Sequence, residues 1–455
     1  VVDFNHHLSH AATAFYLSPY DRALVVILDE DGDGTSGLIA VGEGTKIRPV
    51  RRIPFPSSLG WVYTQVTELL GFAPHKDEHK TQWLSLEGEP EFKQVFLDMM
   101  RRPGSPLPRL NLGYFNRGLT GRVALSDKFY RAVGLSGRDG AVTDEQRRRI
   151  AASLQQACTE IVVDLVKHFS KSYGLSNVCL GGGLFLNPLL VASVEKENGP
   201  NQVFVPPAPG NAGCAIGAAS LLWYQQPNSA RKPAAAGVYW GPAFSRSEIK
   251  DTLDNSKSRY SLQITEDRKI EQAVQLLQAG KIIGWYQGAT EFGPRALGNR
   301  SVLASPWAPY VKENLNDFIK HREWFRPFAL AITEEECERW FEASHSCRYM
   351  NSLATVRPGH ALPEGFLLPD HRVRLHVVSR QANPSFWRLL KRFGETAPAP
   401  ILVNTSFNLF GEPLVVRPRD AMRSYFCSGI DALIIDNFVL SKAAATHYVV
   451  ATRAS

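Results

Sequence analysis

Twice in succession the sequence runs from a short apolar strand through a glycine- or proline-rich turn into a helix, first in SNVCLGGGLFLNPLLVASVEK and again in QVFVPPAPGNAGCAIGAASLLW. Two such crossovers demand an α/β sheet, because each strand must pass over the sheet face before the next can pair, and they set the turns at strand ends where ligands bind. In the first, Gly181, Gly182 and Gly183 leave backbone amides free to meet a phosphate or ribose at the start of a helix. Glycine runs are common at turns, and this one is weak on its own.

Residues 23–40, ALVVILDEDGDGTSGLIA, read as a buried strand, an Asp- and Gly-rich turn and a returning strand, a hairpin with chemistry at its tip. Asp29, at the strand end, is the candidate for orienting a metal-bound or magnesium-bound phosphate, whereas Asp31 and Asp33 equally suit a solvated acidic turn. Thr143 and Gln146 match a capping box, and Ile150, Leu154, Cys158, Ile161, Leu165 and Phe169 keep helical spacing behind it, which predicts a long core-packing helix. Residues 224–237, YQQPNSARKPAAAG, lack periodicity and read as a linker. A helix near Asp267–Ala279, a strand KIIGWYQG and the loop ATEFGPRALGNRS then open a second α/β unit. At 455 residues the chain is too long for one ordinary core, and the expected division is 1–230 and 238–455.

The formal charge of +7 comes from basic residues scattered along the chain with no basic tail, which suits a site for anionic small molecules better than a nucleic-acid surface. A solvated basic face is the plainer alternative. Six cysteines without a CxxC pair argue against a zinc ribbon and fit free thiols in a reducing cytosol. No apolar stretch approaches the roughly 18 residues of a transmembrane helix and no signal pattern opens the chain, so a cytoplasmic protein without a membrane partner is expected. The chain starts at Val1 inside a regular pattern, which suggests trimming.

His6 and His10 lie four apart, so on a helix both imidazoles share one face and could hold a divalent metal. An incidental pair is the competing reading, and His7 points elsewhere. Arg295 and Arg300 flank glycines in EFGPRALGNRS, followed by Lys320, Arg326 in WFRPFA, and Arg374. Guanidinium forks match phosphate and carboxylate oxygens, although each could be a surface charge. After the apolar PAPILV, Asn404, Thr405, Ser406 and Asn408 form a hydroxyl and amide cluster of the kind found at nucleotide turns.

HHLSHAATAF, LDEDGDGTS, GGGLFLNP, PPAPGNAGCAIGAA, EFGPRALGNRS, FRPFA and VNTSFNLFGEPLV, in this order, resemble the NodU/CmcH/TobZ-type O-carbamoyltransferase family over nearly the whole chain. The resemblance implies an actin-like ATPase (ASKHA) domain, here N-terminally incomplete, followed by a YrdC-like domain. It further implies that the second domain makes carbamoyl-adenylate from carbamoyl phosphate and ATP with Mg2+, and that the first passes the carbamoyl group to a hydroxyl of a small acceptor such as an antibiotic, sugar or other secondary metabolite. Arg295, Arg300, Lys320 and Arg326 would then be catalytic, with Arg374, Asn404, Ser406, Asn408, Asp29, Gly181, Gly182 and Asn187 binding substrate or nucleotide. Fe2+ would be held by His6, His10 and an aspartate at the position of Asn211. Asn211 is a neutral and poorer ligand. The stretch HKTQWLSLEGEP around Lys80 also departs from the family's K-x-M-G-L-A-P-Y-G.

Two other classes share parts of this pattern. A tRNA threonylcarbamoyl-transfer protein would use the same two folds and suit the pI near 9.0, but with another domain order. A catalytically impaired nucleotide-binding partner subunit would account for Asn211. Neither nucleic acid nor membrane is an expected partner, and a homodimer is left open.

Overall fold

The computed structural model describes residues 1–117, 123–138, 140–226, 229–231, 237–263 and 265–442. Two large sheets divide it into two α/β lobes, and Phe115–Arg117 pairs with Val123–Leu125 in a small sheet of its own. In the first lobe the strands are β1 (Arg22–Gly32), β2 (Thr35–Glu43), β3 (Lys46–Pro54), β4 (Val178–Gly181) and β5 (Val203–Phe204), hydrogen-bonded in the order β3-β2-β1-β4-β5. Only β2 runs against its neighbours, since β1, β4 and β5 are parallel and β2 is antiparallel to both β1 and β3. That is the five-strand core expected of an actin-like domain.

The apolar run of β1 follows from its central place. Leu24, Val26 and Leu28 face one core with Leu154, Ile161 and Leu165 of the long helix Asp144–Tyr173. Val25 and Ile27 face the other, with Ala11, Ala14 and Phe15 of α1 (His6–Tyr16). A strand buried on both faces loses the polar alternation of a half-exposed one. Burying each of these large side chains is worth about 1.5–3 kcal/mol, so the strand end that carries Asp29 is firmly fixed. The Thr143–Gln146 capping box forms as the sequence predicts.

Glycine is required at two points of this lobe. Gly182 has φ +94° and a Cβ there would lie 2.2 Å from Leu28 O, so the turn after β4 passes directly over the end of β1. At Gly217, within α2 (Cys214–Tyr224), a Cβ would lie 1.9 Å from Ser9 O, so α1 and α2 cross backbone to backbone.

The second lobe has a ten-stranded mixed sheet. Its strands are β6 (Ser261–Leu262), β7 (Ile283–Tyr286), β8 (Arg300–Ala304), β9 (Ala329–Thr333), β10 (Phe341–Glu342), β11 (Leu353–Val356), β12 (Arg372–Val378), β13 (Ile401–Ser406), β14 (Ala432–Ile435) and β15 (Phe438–Ser441), in the order β10-β11-β12-β9-β13-β8-β7-β14-β15-β6. The helix expected near Asp267–Ala279 spans Glu266–Gln278 and packs Ile270 and Leu277 against Phe386 and Leu389 of a second helix. Of the expected linker, Tyr224 ends α2, while residues 227–228 and 232–236 lie outside the described residues.

The lobes join through an apolar contact of Trp83 and Leu189 with Leu353 and Leu368. Beside it Glu195 accepts hydrogen bonds from the hydroxyls of Ser344 and Ser352, and Asn351 Nδ2 donates to Pro206 O at 2.9 Å. Among the described residues no helix is long and apolar enough to cross a membrane, and all six cysteines are free.

Candidate active site at the junction of the two lobes

A cavity of about 660 Å³ opens between the lobes, with Asp29, Glu30, Gly183, Asn187 and Asn211 on one side and Arg295, Arg322, Arg326, Arg374 and Ser406 on the other. Its first-lobe end is built on the tip of β1. Regular pairing of β1 with β2 ends at Leu28, and parallel pairing with β4 ends at Ile27, so Asp29 emerges where both partners leave. Its Oδ1 accepts from Gly183 N at 3.1 Å, and its Oδ2 lies 2.9 Å from His6 Nε2 and 3.0 Å from His10 Nε2. The two Nε2 atoms are 3.2 Å apart. Burial alone would raise the Asp29 pKa, but the hydrogen bonds of His10 and His6 hold it well below the usual carboxylate range. The bond to Asp29 in turn raises the pKa of His6 against its own burial.

Two imidazole nitrogens and a carboxylate oxygen converging on one point are the donors a divalent transition metal takes. The residues present therefore fit a metal. His7 stays out of the group, buried against Thr35 Oγ1 at 3.0 Å. Asp33 proves to be more than a solvated turn residue, because its carboxylate accepts from His6 N and Asn5 Nδ2 and fixes the first turn of α1.

The second-lobe end is cationic. Arg374 stands on β12, and its Nε is buried without a hydrogen-bond partner, as are those of Arg295 and Arg322. Burial, and then the charges of Arg295, Arg322 and Arg326, push the Arg374 pKa well below its ordinary value. Burial, and then the charge of Arg326, lowers Arg295 to about 10 and Arg322 to about 9. Among the described residues Arg295, Arg322 and Arg374 have no carboxylate within ion-pair distance, and Arg326 has Glu323 at 3.3 Å. His79 faces this group from the first lobe, and burial followed by the charge of Arg326 lowers its pKa to about 3. Guanidinium groups that repel one another and lack counter-charges make a preformed anion site.

The structure sorts the sequence candidates unequally. Arg295, Arg326, Arg374, Asn404, Ser406, Asp29, Asn187 and Asn211 line the cavity. Lys320 lies beneath the wall, donating to the main-chain oxygen and Oγ of Ser406 and to Asn408 Oδ1 at 2.9 Å, so it holds the Ser406–Asn408 turn in place. Gly181 is inside β4 and Gly182 makes the turn, so Gly183 supplies the wall. Asn187 also caps the helix Pro188–Asn198 and donates to Gln155.

Arg300 is a correction. It was expected among the phosphate ligands, but it is fully buried at the start of β8 and its guanidinium turns back to donate to the carbonyls of Gln287, Gly288 and Asn299, stacked 3.6 Å from the Tyr286 ring. Glu291, which sequence reasoning missed, shapes the same loop by accepting from the amides of Leu297, Asn299 and Arg300. An acid directly before a glycine-rich loop was the available signal. Arg322 and His79 were missed too, and Arg322 stood in plain view in HREWFRPFA.

The chain matches the carbamoyltransferase N-terminus family over residues 1–220 and the carbamoyltransferase C-terminus family over residues 274–442. It is 35% identical over 467 residues to the uncharacterized protein sll1178 of Synechocystis sp., covering 96% of this chain and 76% of that protein. Nodulation protein NolO of Bradyrhizobium diazoefficiens is 33% identical over 443 residues, 96% of this chain and 79% of its own. Nodulation protein U of the same species is 32% identical over 254 residues, covering 55% and 42%.

Proposed function

The chain belongs to the carbamoyltransferase family, and from that premise we propose that it is an O-carbamoyltransferase that makes carbamoyl-adenylate at the cationic end of the cavity and uses it at the His6–His10–Asp29 end. Water would cleave carbamoyl phosphate to carbamate and inorganic phosphate, a carbamate oxygen would attack the α-phosphorus of Mg2+-bound ATP, and pyrophosphate would leave. The acceptor hydroxyl would then attack the carbamoyl carbon and release AMP.

The single observation behind this reading is the continuity of one cavity between an anion site in one lobe and a donor cluster in the other. Both substrates of the first step are anions, and their charge is what Arg295, Arg322 and Arg374 lack, with Arg326 beside them paired to Glu323. Preorganised cations that need no rearrangement as charge shifts are the main means of accelerating such transfers. Ser406, held from below by Lys320, would turn its hydroxyl from Asn408 Oδ1 to a phosphate or carbamoyl oxygen. A divalent ion held by His6, His10 and Asp29 would supply positive charge for an oxygen of the adenylate. The acceptor is proposed to be a small hydroxylated molecule, a sugar or secondary metabolite, and the free cysteines suit a reducing cytoplasm.

Incubation with ATP and labelled carbamoyl phosphate, without acceptor, tests the reading. Acid-quenched samples should hold an enzyme-bound carbamoyl-adenylate and one equivalent of pyrophosphate. ATP cleavage to ADP and phosphate, with no pyrophosphate, would refute it.

A further inference from the structure

The His6–His10 pair has a neighbour that the family resemblance does not assign. A ring nitrogen of each histidine and Sγ of Cys214 all lie within 4.8 Å of one another. The fold brings them together for identifiable reasons. α1 and α2 cross at Gly217 without an intervening side chain. Cys214 is the first residue of α2, one turn before that crossing. Thr13 Oγ1, on α1, donates to Gly213 O at 2.7 Å and ties the backbone just ahead of the thiol to the helix that carries the histidines.

We propose that the Cys214 thiolate is a ligand of the metal centre formed with His6, His10 and Asp29, and that the centre therefore takes a thiophilic ion of the zinc class in preference to iron. The inference rests on the metal reading of the His6–His10 pair and is independent of carbamoyl transfer. Charge supplies the first argument. Among the described residues Asp29 is the one carboxylate that meets both imidazoles and would offer a divalent ion a single negative charge, and a thiolate supplies a second. Donor type supplies the next, because a set of two imidazoles, one carboxylate and one thiolate is a tetrahedral zinc set, and sulfur favours soft ions. Geometry agrees. Metal–nitrogen bonds of about 2.0–2.1 Å at tetrahedral angles put two nitrogens about 3.3 Å apart, and the two Nε2 atoms are 3.2 Å apart. Cys214 also differs from Cys158, Cys179 and Cys347, which are fully buried in the core, in being partly open beside this cluster.

The test uses the full chain, stripped with a chelator and refilled with Co2+, Cd2+ or an equimolar mixture of Zn2+ and Fe2+. The expected results are a near-ultraviolet sulfur-to-cobalt charge-transfer band, a 113Cd resonance in the thiolate-ligated range, and retention of zinc over iron at close to one ion per chain. Cys214→Ser should lose the charge-transfer band and bind zinc more than about tenfold more weakly, since even outer partners of a metal site cost 10–100-fold. The cadmium measurement needs no variant and so stands even if Cys214→Ser folds poorly. A cadmium shift typical of nitrogen and oxygen ligands alone, a cobalt spectrum unchanged in Cys214→Ser, or preferential retention of iron would overturn the thiolate assignment while leaving the metal centre. Failure of the wild-type chain to bind any of these ions above the level of His6→Ala would overturn both.

Discussion

Lys80 Nζ, in the first lobe, lies 2.7 Å from Glu323 Oε1 in the second, and the other oxygen of that carboxylate lies 3.3 Å from Arg326 NH1. The lysine also pairs with Asp77 at 3.1 Å. A first-lobe cation thus orients an arginine of the second-lobe anion site through one shared carboxylate.

Removing that cation should therefore weaken the anion site without touching it. Lys80→Ala removes one of the two cations that hold Glu323 and leaves Arg326 as its partner, so the less compensated carboxylate beside the cavity works against phosphate. We predict that KM for carbamoyl phosphate or ATP rises roughly tenfold, in line with the 1.5–3 kcal/mol of hydrogen bonds to charged groups. Glu323→Gln in the same background should recover part of the loss, which steady-state kinetics on the single and double variants will show.

Arg374 and Arg300 should behave oppositely. Arg374→Met removes a guanidinium that repels three others, so the free protein should keep or gain thermal stability while losing on the order of 10²-fold or more in the rate of adenylate formation. Arg300→Met breaks charge-assisted bonds to three main-chain carbonyls and should lower the melting temperature, with little change in KM for the folded fraction. Calorimetry paired with kinetics separates the two, and equal loss of stability in both would contradict the assignment.

Glu195 makes the lobe junction pH-dependent. Burial raises its pKa from 4.5 to about 7, against the hydroxyl donors that favour the charged form. A carboxyl raised on folding is protonated in the folded chain where the unfolded chain has released its proton. Its contribution is thus fully present below the unfolded value and is lost as pH rises through about 7. The loss should be on the order of 3 kcal/mol, and denaturant unfolding between about pH 5 and about pH 8 should show it in the wild type and not in Glu195→Gln.

How much of this the sequence disclosed depends on whether the cause was local. The burial of β1, the capped helix Asp144–Tyr173 and the shared face of His6 and His10 all follow from short-range pattern, and each formed where expected. Asp29 was legible because an acid at the end of an apolar strand has few reasons to be there. The arginines were not separable, since whether Arg300 turns inward or Arg374 outward depends on strand register and on carbonyls supplied by a distant loop. Cys214 reads as a small core residue until the crossing at Gly217 lays its helix against α1, and Glu195 reads as surface charge until the second lobe covers it.

The division of labour between the lobes is tested most directly by carbamoyl-phosphate-dependent exchange of labelled pyrophosphate into ATP, measured on Arg326→Ala, Lys320→Ala and His6→Ala alongside acceptor carbamoylation. Arg326 loses a charge from the anion wall and Lys320 the support of Ser406, so both variants should drop the exchange by on the order of 10² to 10³. His6→Ala should keep the exchange near the wild-type rate and lose carbamoylation of the acceptor. If His6→Ala abolishes exchange, or if Arg326→Ala and Lys320→Ala leave it unchanged, adenylate formation does not reside in the second-lobe cations.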